Sequence, residues 1–328
     1  MTPKTLEDHH ISHSSLSKLI HSPFQYKMHI LSPREEDTSF FRKGAAFDTL
    51  LTEPDEFLNR YAVSRTPPPS GMMGEFVKIY LYKCSKNANE EQARIEAYTE
   101  SGFKLKYESV IKKFESQEIQ DYLKFVEETQ DKTILSLEEF QEANNMAMHV
   151  KSNLYAGKYL LASNPEIQID YQKKIKFNHK GYEVVSILDV VRIDHANKRI
   201  TPIDIKSTSK SVSSFESSYL KYGYYRQGAL YSLACLSEYK ELIDKGYTID
   251  PFRFIVCETS CYNPPIVFQM SDIDLAVGMN GGTSSMGYEY LGINQLIERL
   301  QWHQENDLWD YPREVYDSGG TKVLETFN

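Results

Sequence analysis

The sequence predicts an α/β chain whose N-terminal half is mainly helical. Two changes of pattern carry this reading. Residues 75–161 are rich in Glu, Lys, Gln and Ala and contain no proline, the composition of packed helices. Beyond them the hydrophobic pattern becomes β-branched: EIQIDYQKKIKF (166–177), GYEVVSILDVVRID (181–194) and RITPIDIKS (199–207). Asn-His-Lys-Gly and His-Ala-Asn-Lys turns separate these runs, so the short connections predict three consecutive antiparallel strands.

The remaining elements follow in order. ISHSSLSKLIHSPFQYKMHIL opens with a serine-capped helix that closes at Ser22-Pro23, and a second helix is expected over FRKGAAFDTLL. SRTPPPSGMMG (64–74) reads as a loop. A long amphipathic helix is expected at about 215–240, then strands over FRFIVCET (252–259) and PIVFQM (265–270). GMNGGTSSMG (278–287) reads as a loop and LGINQLIERLQWHQE as the last helix. The glycine-rich loop lacks the Gly-Lys-Ser/Thr that cradles a nucleotide phosphate, so no ATP site is expected. Three parts result: a helical 1–161, a core over 162–316 and a loose tail, 317–328.

A chain of 328 residues with 41% hydrophobic and 25% charged content can bury a sizeable core. No apolar run approaches bilayer length and no export signal is visible, so a cytoplasmic protein without membrane contact is expected. Cys84, Cys235, Cys257 and Cys261 fit a reducing compartment and show no zinc-type pairing. With 37 basic and 46 acidic residues the net charge is −9, which argues against a general nucleic-acid coat protein. It does not argue against a nuclease, because a local basic groove tracks phosphates on an acidic molecule.

Four polar features between 186 and 231 point to chemistry. Asp189 closes one apolar run; fifteen residues later Asp204-Ile205-Lys206 closes the next; Gln227 and Tyr231 follow, four apart on a helix. Phosphodiester hydrolysis by Mg²⁺ needs hard oxygen ligands converging from neighbouring strands, which Asp189, Asp204 and the Ile205 carbonyl supply. Lys206, two residues beyond Asp204 in a strand, shares its face and can orient water or stabilise charge; a lysine beside a dication can also have its charged form disfavoured, which suits proton transfer. Gln227 and Tyr231 can bind a phosphate or steady the lysine, and Tyr222, Tyr224, Tyr225 and Arg226 add stacking and cationic character. Taken singly, Asp-x-Lys marks a solvated strand edge and Gln-x-x-x-Tyr a helix surface; their order and spacing together favour a site. His9, His10 and His13 read as a flexible polar terminus, and Trp302 and Trp309 as packing residues.

On these residues the chain resembles the PDDEXK nuclease superfamily, in particular its RecB-like branch and the exonuclease VIII (RecE-type) group of phages and prophages. YGYYRQGALYSLA is especially similar to that group, and ISHSSLSKLIHSPFQY and FRKGAAFDTLLTEPDEF look like its opening segments. The resemblance implies a restriction-endonuclease-like core, a twisted mixed β-sheet flanked by helices. It implies Asp189, Asp204, Lys206, Gln227 and Tyr231 as catalytic residues, with Mg²⁺ or Mn²⁺ as cofactor. It also implies ATP-independent exonucleolytic digestion of duplex DNA with free ends, in phage-type recombination, by a homo-oligomeric ring working with a single-strand annealing protein. A structure-specific endonuclease or an inactive binding module are the competing readings. Where the family often has a metal-binding histidine this chain has Asp48, also a hard ligand; Glu166 is a weaker candidate for the same neighbourhood. Ser22 stands where iron–sulfur members have a cysteine, so no iron–sulfur cluster is expected.

Overall fold

The hydrophobic pattern after 165 folds into one mixed sheet, and its strands fall close to the expected bounds. The computed structural model describes residues 10–32, 38–66, 68–86, 89–129, 132–284 and 287–321; His9, Pro67 and the end of the tail lie outside them. The chain divides into two compact units: Met1–Asp37, Leu50–Glu53 and Asn145–Asn328 in one, Thr38–Thr49 and Pro54–Asn144 in the other. The opening helices thus belong with the strands.

In the sheet-bearing unit β1 (Ile167–His179), β2 (Tyr182–Asp194), β3 (Arg199–Thr208), β4 (Arg253–Glu258) and β5 (Ile266–Gln269) lie side by side in that order. All neighbours are antiparallel except β3 and β4, which pair in parallel after a helical crossover. A two-residue strand, Thr248–Ile249, also pairs with the start of β3. Lys180 and Gly181 form the β1–β2 turn, both with positive φ (48° and 84°), the conformation a two-residue hairpin favours. Pro202 pairs with Val191 of β2 and falls where the Thr248–Ile249 ladder has ended and that of β4 has not begun, so no ladder on that second side needs its missing N–H.

The ladder between β2 and β3 runs only from Asp194↔Arg199 to Val190↔Ile203. Beyond it the strands part, and Ile11 takes the edge of β2 that β3 leaves: its N–H bonds Glu183 O at 3.0 Å and its O accepts from Val185 N at 2.9 Å. Helix α1 (His13–His21) follows at once, opened by a Ser12–Ser15 capping box, and α2 (Pro23–Leu31) starts at Ser22 with proline in its first turn. Their buried Leu16, Leu19, Tyr26 and Ile30 join Val184, Leu188, Val191 and Ile193 of β2 in one core.

The helix expected at 215–240 is two: α3 (Phe215–Lys221) and α4 (Tyr224–Glu238). Gly223 separates them in the left-handed region, φ +68°, which a side chain rarely adopts and which would drive a Cβ into the Arg226 guanidinium. Helix α5 (Asp272–Asn280) was not anticipated and takes in the start of the expected 278–287 loop. It packs on α4 so closely that a Cβ at Gly278 would collide with the Tyr225 carbonyl oxygen and Ala229. The next long helix, α6 (Ile293–Asn306), is followed by a short one, Arg313–Asp317, and lays Ile293, Leu296, Ile297 and Leu300 on the core. Trp309 is buried there, stacked on Tyr26, as a packing residue.

The other unit is helical around Phe76, Tyr80, Val110 and Phe114, as its composition predicts. It also holds one parallel strand pair, Tyr61–Ser64 with Thr133–Ser136, which the helical reading of 75–161 missed. Residues 71–74, expected as loop, begin the helix Gly71–Ser85.

Overpacking at Gly278 has nowhere to relax, because backbone stands in the way. Gly278→Ala is expected to lower the urea midpoint by an amount equivalent to about 1–3 kcal/mol with unchanged slope. A wild-type midpoint would show that α4 and α5 do not approach this closely.

Candidate active site

Asp189 and Asp204 converge because the sheet loses its regularity at one point. Leu188, Val191 and Ile193 all enter the same core although strict alternation would separate Leu188 from the other two. Strict alternation is therefore broken between Leu188 and Val191. Opposite, Gln172 of β1 has φ +46°, between the Tyr171↔Val190 and Lys173↔Leu188 pairs of the β1–β2 ladder. Asp189 reaches across the gap, and its Oδ2 accepts from Ile205 N at 2.7 Å.

Asp204 lies one residue beyond the last β2–β3 pair and is 2% exposed. Its Oδ1 accepts from Gln227 Nε2 at 2.7 Å, and its Oδ2 lies 2.5 Å from Lys206 Nζ. Oδ2 is shielded from solvent, with the Lys206 ammonium as its close partner. Burial pushes the Asp204 carboxyl up, although Lys206, Gln227 and Asp189 all favour its charged form.

Burial alone would lower the Lys206 ammonium, yet Asp204 and Asp189 outweigh it and hold it above the ordinary lysine value. Flanked by two carboxylates, the lysine is held in its charged form. Its Nζ also stands 4.9 Å from the centre of the Tyr224 ring.

Gln227 and Tyr231 occupy one face of α4. Their side chains hydrogen-bond each other, and burial together with the Asp204 charge raises the Tyr231 phenol, which stays protonated. Gln227 therefore grips a carboxylate directly, a closer role than the expected one of steadying the lysine or a phosphate. Arg226 turns back over Gly223 to bond the Tyr225 hydroxyl and Leu291 O.

One participant was misread. His13 is no loose terminal residue: the Ile11 bridge delivers it to the site, where Nε2 bonds Gly223 O at 3.2 Å. Burial, then the charges of Arg226 and Lys206, push its imidazole down to about 3. His10 pairs instead with Glu183 at 2.5 Å. Glu166 lies beside the far end of β2, where its O accepts from His195 N, some six residues or roughly 20 Å along the sheet from Gln172. Asp48 belongs to the helical unit, in the helix Ser39–Thr52, partly buried with Oδ1 shielded from solvent. Cys84, Cys235, Cys257 and Cys261 are free thiols.

The donors in the sheet are two carboxylates and the Ile205 carbonyl, all hard oxygens suited to Mg²⁺ or Mn²⁺. The solvent-shielded Asp204 carboxylate, whose carboxyl burial raises, fits a cation site, since a dication beside it would stabilise the charged form. Among the described residues no group of three His, Cys, Asp or Glu side chains is placed to hold a metal.

A model of the PD-(D/E)XK nuclease superfamily matches residues 10–266. The chain belongs to the PD-(D/E)XK nuclease superfamily. Its mixed sheet and flanking helices are that fold, as the sequence predicted. No curated protein sequence matches the chain. Among solved structures, a crystal structure of a protein of Eubacterium rectale, provisionally named an exonuclease, is similar at 12% identity and a TM-score of 0.47, over 99% of this chain and 95% of that one. No helix among the described residues is long and apolar enough to cross a membrane.

His13 supplies a pH test. A histidine held neutral in the fold but titrating near 6.5 when unfolded makes the unfolded state bind more protons between those values. Stability is then complete above about pH 6.5 and falls as pH drops towards the folded value. The difference in urea midpoint between wild type and His13→Gln is expected to shrink as pH falls from 7 to 5; a constant difference would place His13 in solvent.

Proposed function

We propose that the protein is a divalent-metal-dependent deoxyribonuclease that digests duplex DNA from its ends without ATP. The observation that supports this best is the convergence of Asp189, Asp204 and Lys206 on one sheet face, with Gln227 gripping the buried carboxylate.

In this reading Asp189, Asp204 and the Ile205 carbonyl would hold Mg²⁺; a ligand role for Asp48, in place of the family's histidine, rests on the resemblance alone. When bound, such an ion would supply a nucleophilic water and neutralise charge on the leaving oxygen. Lys206, charged at neutral pH, orients that water and stabilises negative charge on the phosphoryl oxygens. Gln227 fixes the Asp204 carboxylate so that its second oxygen faces the site, and Tyr231 locks Gln227. The preference for DNA ends, the recombination setting, the ring-shaped assembly and the annealing partner rest on the resemblance of YGYYRQGALYSLA.

End-labelled linear duplex and closed circular DNA, incubated with Mg²⁺, test the reading. Linear DNA is expected to be consumed while the circle survives, and Lys206→Ala to slow digestion by about 10²–10³-fold. Lys206→Gln keeps a hydrogen-bonding group beside Asp204 and is expected to be slow too while folding as wild type. Equal attack on both DNAs would replace the exonuclease with an endonuclease, and wild-type rates in both variants would remove Lys206 from the chemistry.

Gln227→Leu leaves the metal ligands in place but releases the Asp204 carboxylate. It is expected to raise the Mg²⁺ concentration needed for half-maximal digestion, with the rate at saturating Mg²⁺ recovering. A loss of rate that Mg²⁺ does not restore would move Gln227 onto the DNA.

A further inference from the structure

On the sheet face opposite Asp204 and Lys206 lies a basic groove that the nuclease reading does not use. Alternation along the strands sends Arg192 and Thr201, which face each other across β2 and β3, to the side away from Asp204. Thr201 stands three residues before Asp204, about 10 Å along the strand. Here a cavity of about 680 Å³ collects Lys158, Arg192, Arg199 and Arg253 against two carboxylates, Asp194 and Asp250. Four cations against two acids leave two positive charges, on a chain whose net charge is −9. A second cavity of about 400 Å³ shares Lys158, Tyr159 and Arg253 and adds Tyr155. Each has the size of a small-ligand cleft, and the shared residues make them one groove.

The groove joins charge to aromatic surface. Lys158 Nζ is 5.0 Å and the Arg253 guanidinium 5.5 Å from the centre of the Tyr159 ring. The Tyr155 ring is 68% exposed. Arg253 is braced by Asp250, Pro251 O and Gln269, so its position is set before any ligand arrives. Arg192 reaches Asp194 only at 3.5 Å, and its Nε, shielded from solvent, has no hydrogen-bond partner among the described residues. A buried guanidinium donor without a partner is costly, and an anionic oxygen would relieve it.

We propose that this groove binds single-stranded nucleic acid, with Arg192, Arg199 and Lys158 on backbone phosphates and Tyr155 and Tyr159 under the bases. Cations that track a backbone beside ring faces that accept any base are the requirements for sequence-tolerant binding of a single strand. Acidic peptide would satisfy the cations but leave the rings unused. The inference rests on the nuclease reading only in taking nucleic acid as the class of ligand.

The test is fluorescence anisotropy of a labelled oligothymidylate of about 12 nucleotides, in EDTA so that no digestion occurs. Lys158→Gln with Arg199→Gln removes two exposed cations; Arg199 gives up its ion pair with Asp250, which keeps Thr201 and Arg253, and circular dichroism checks the fold. The double variant is expected to bind about tenfold more weakly, with a salt slope shallower by about 1.4, while Mg²⁺-dependent digestion of a short duplex stays at the wild-type level. Lys206→Ala is expected to show the reverse: affinity kept, digestion lost. Unchanged affinity and slope in the double variant would overturn the proposal, as would displacement of the oligonucleotide by poly-L-glutamate at equal charge concentration. A wild-type protein that digests no DNA, but loses oligonucleotide binding in the double variant, would sink the nuclease reading and support the groove.

Discussion

Asp204 is a carboxylate in the middle of a sheet, 2% exposed, and the surrounding structure is arranged to tolerate it. A lone buried carboxylate costs several kcal/mol and would normally take up a proton. Here Gln227 binds one oxygen and Lys206 neutralises the other, while Asp189 approaches from the neighbouring strand. Removing Lys206 would take away the buried carboxylate's cation, and removing Gln227 would leave one of its oxygens without a hydrogen bond. Helix α4 must therefore keep its register so that Gln227 meets Asp204. The glycine break at 223 starts that helix, and the Gly278 contact holds α5 against it.

The same demand explains the irregular sheet. A regular β2–β3 ladder would continue past Val190↔Ile203 and leave no opening for a phosphate. Parting the strands costs backbone hydrogen bonds, and two substitutes recover part of them. The Asp189 carboxylate takes the Ile205 N–H, and Ile11 bonds the β2 edge. The second substitution also carries α1 to the site, so the N-terminal segment, distant in sequence, places His13 against Gly223.

Periodic features were legible in the sequence because they are local. The three strands emerged within a few residues of their observed ends, since Ile/Val runs bounded by Lys180-Gly181 and the Asp194–Arg199 turn permit little else. The spacing of Asp189, Asp204 and Lys206 was legible for the same reason. Gly223 hid inside a helical pattern because one glycine there is tolerated as often as it breaks the helix. His13 was unreadable because its partner lies 210 residues away. The state of Lys206 depends on two carboxylates around it, and no local pattern encodes that balance. Arg192 and Arg253 looked like ordinary strand-edge cations until the sheet put them beside Lys158 and Tyr159.

The central claim is that Asp189 and Asp204 form one divalent-cation site. Calorimetric titration of the protein with Mn²⁺, beside Asp189→Asn and Asp204→Asn, addresses it without reliance on DNA. The account predicts a saturable heat in wild type that is lost in both variants, each remaining folded by circular dichroism. Undiminished binding in Asp204→Asn would contradict it and place the metal, if the enzyme needs one, elsewhere.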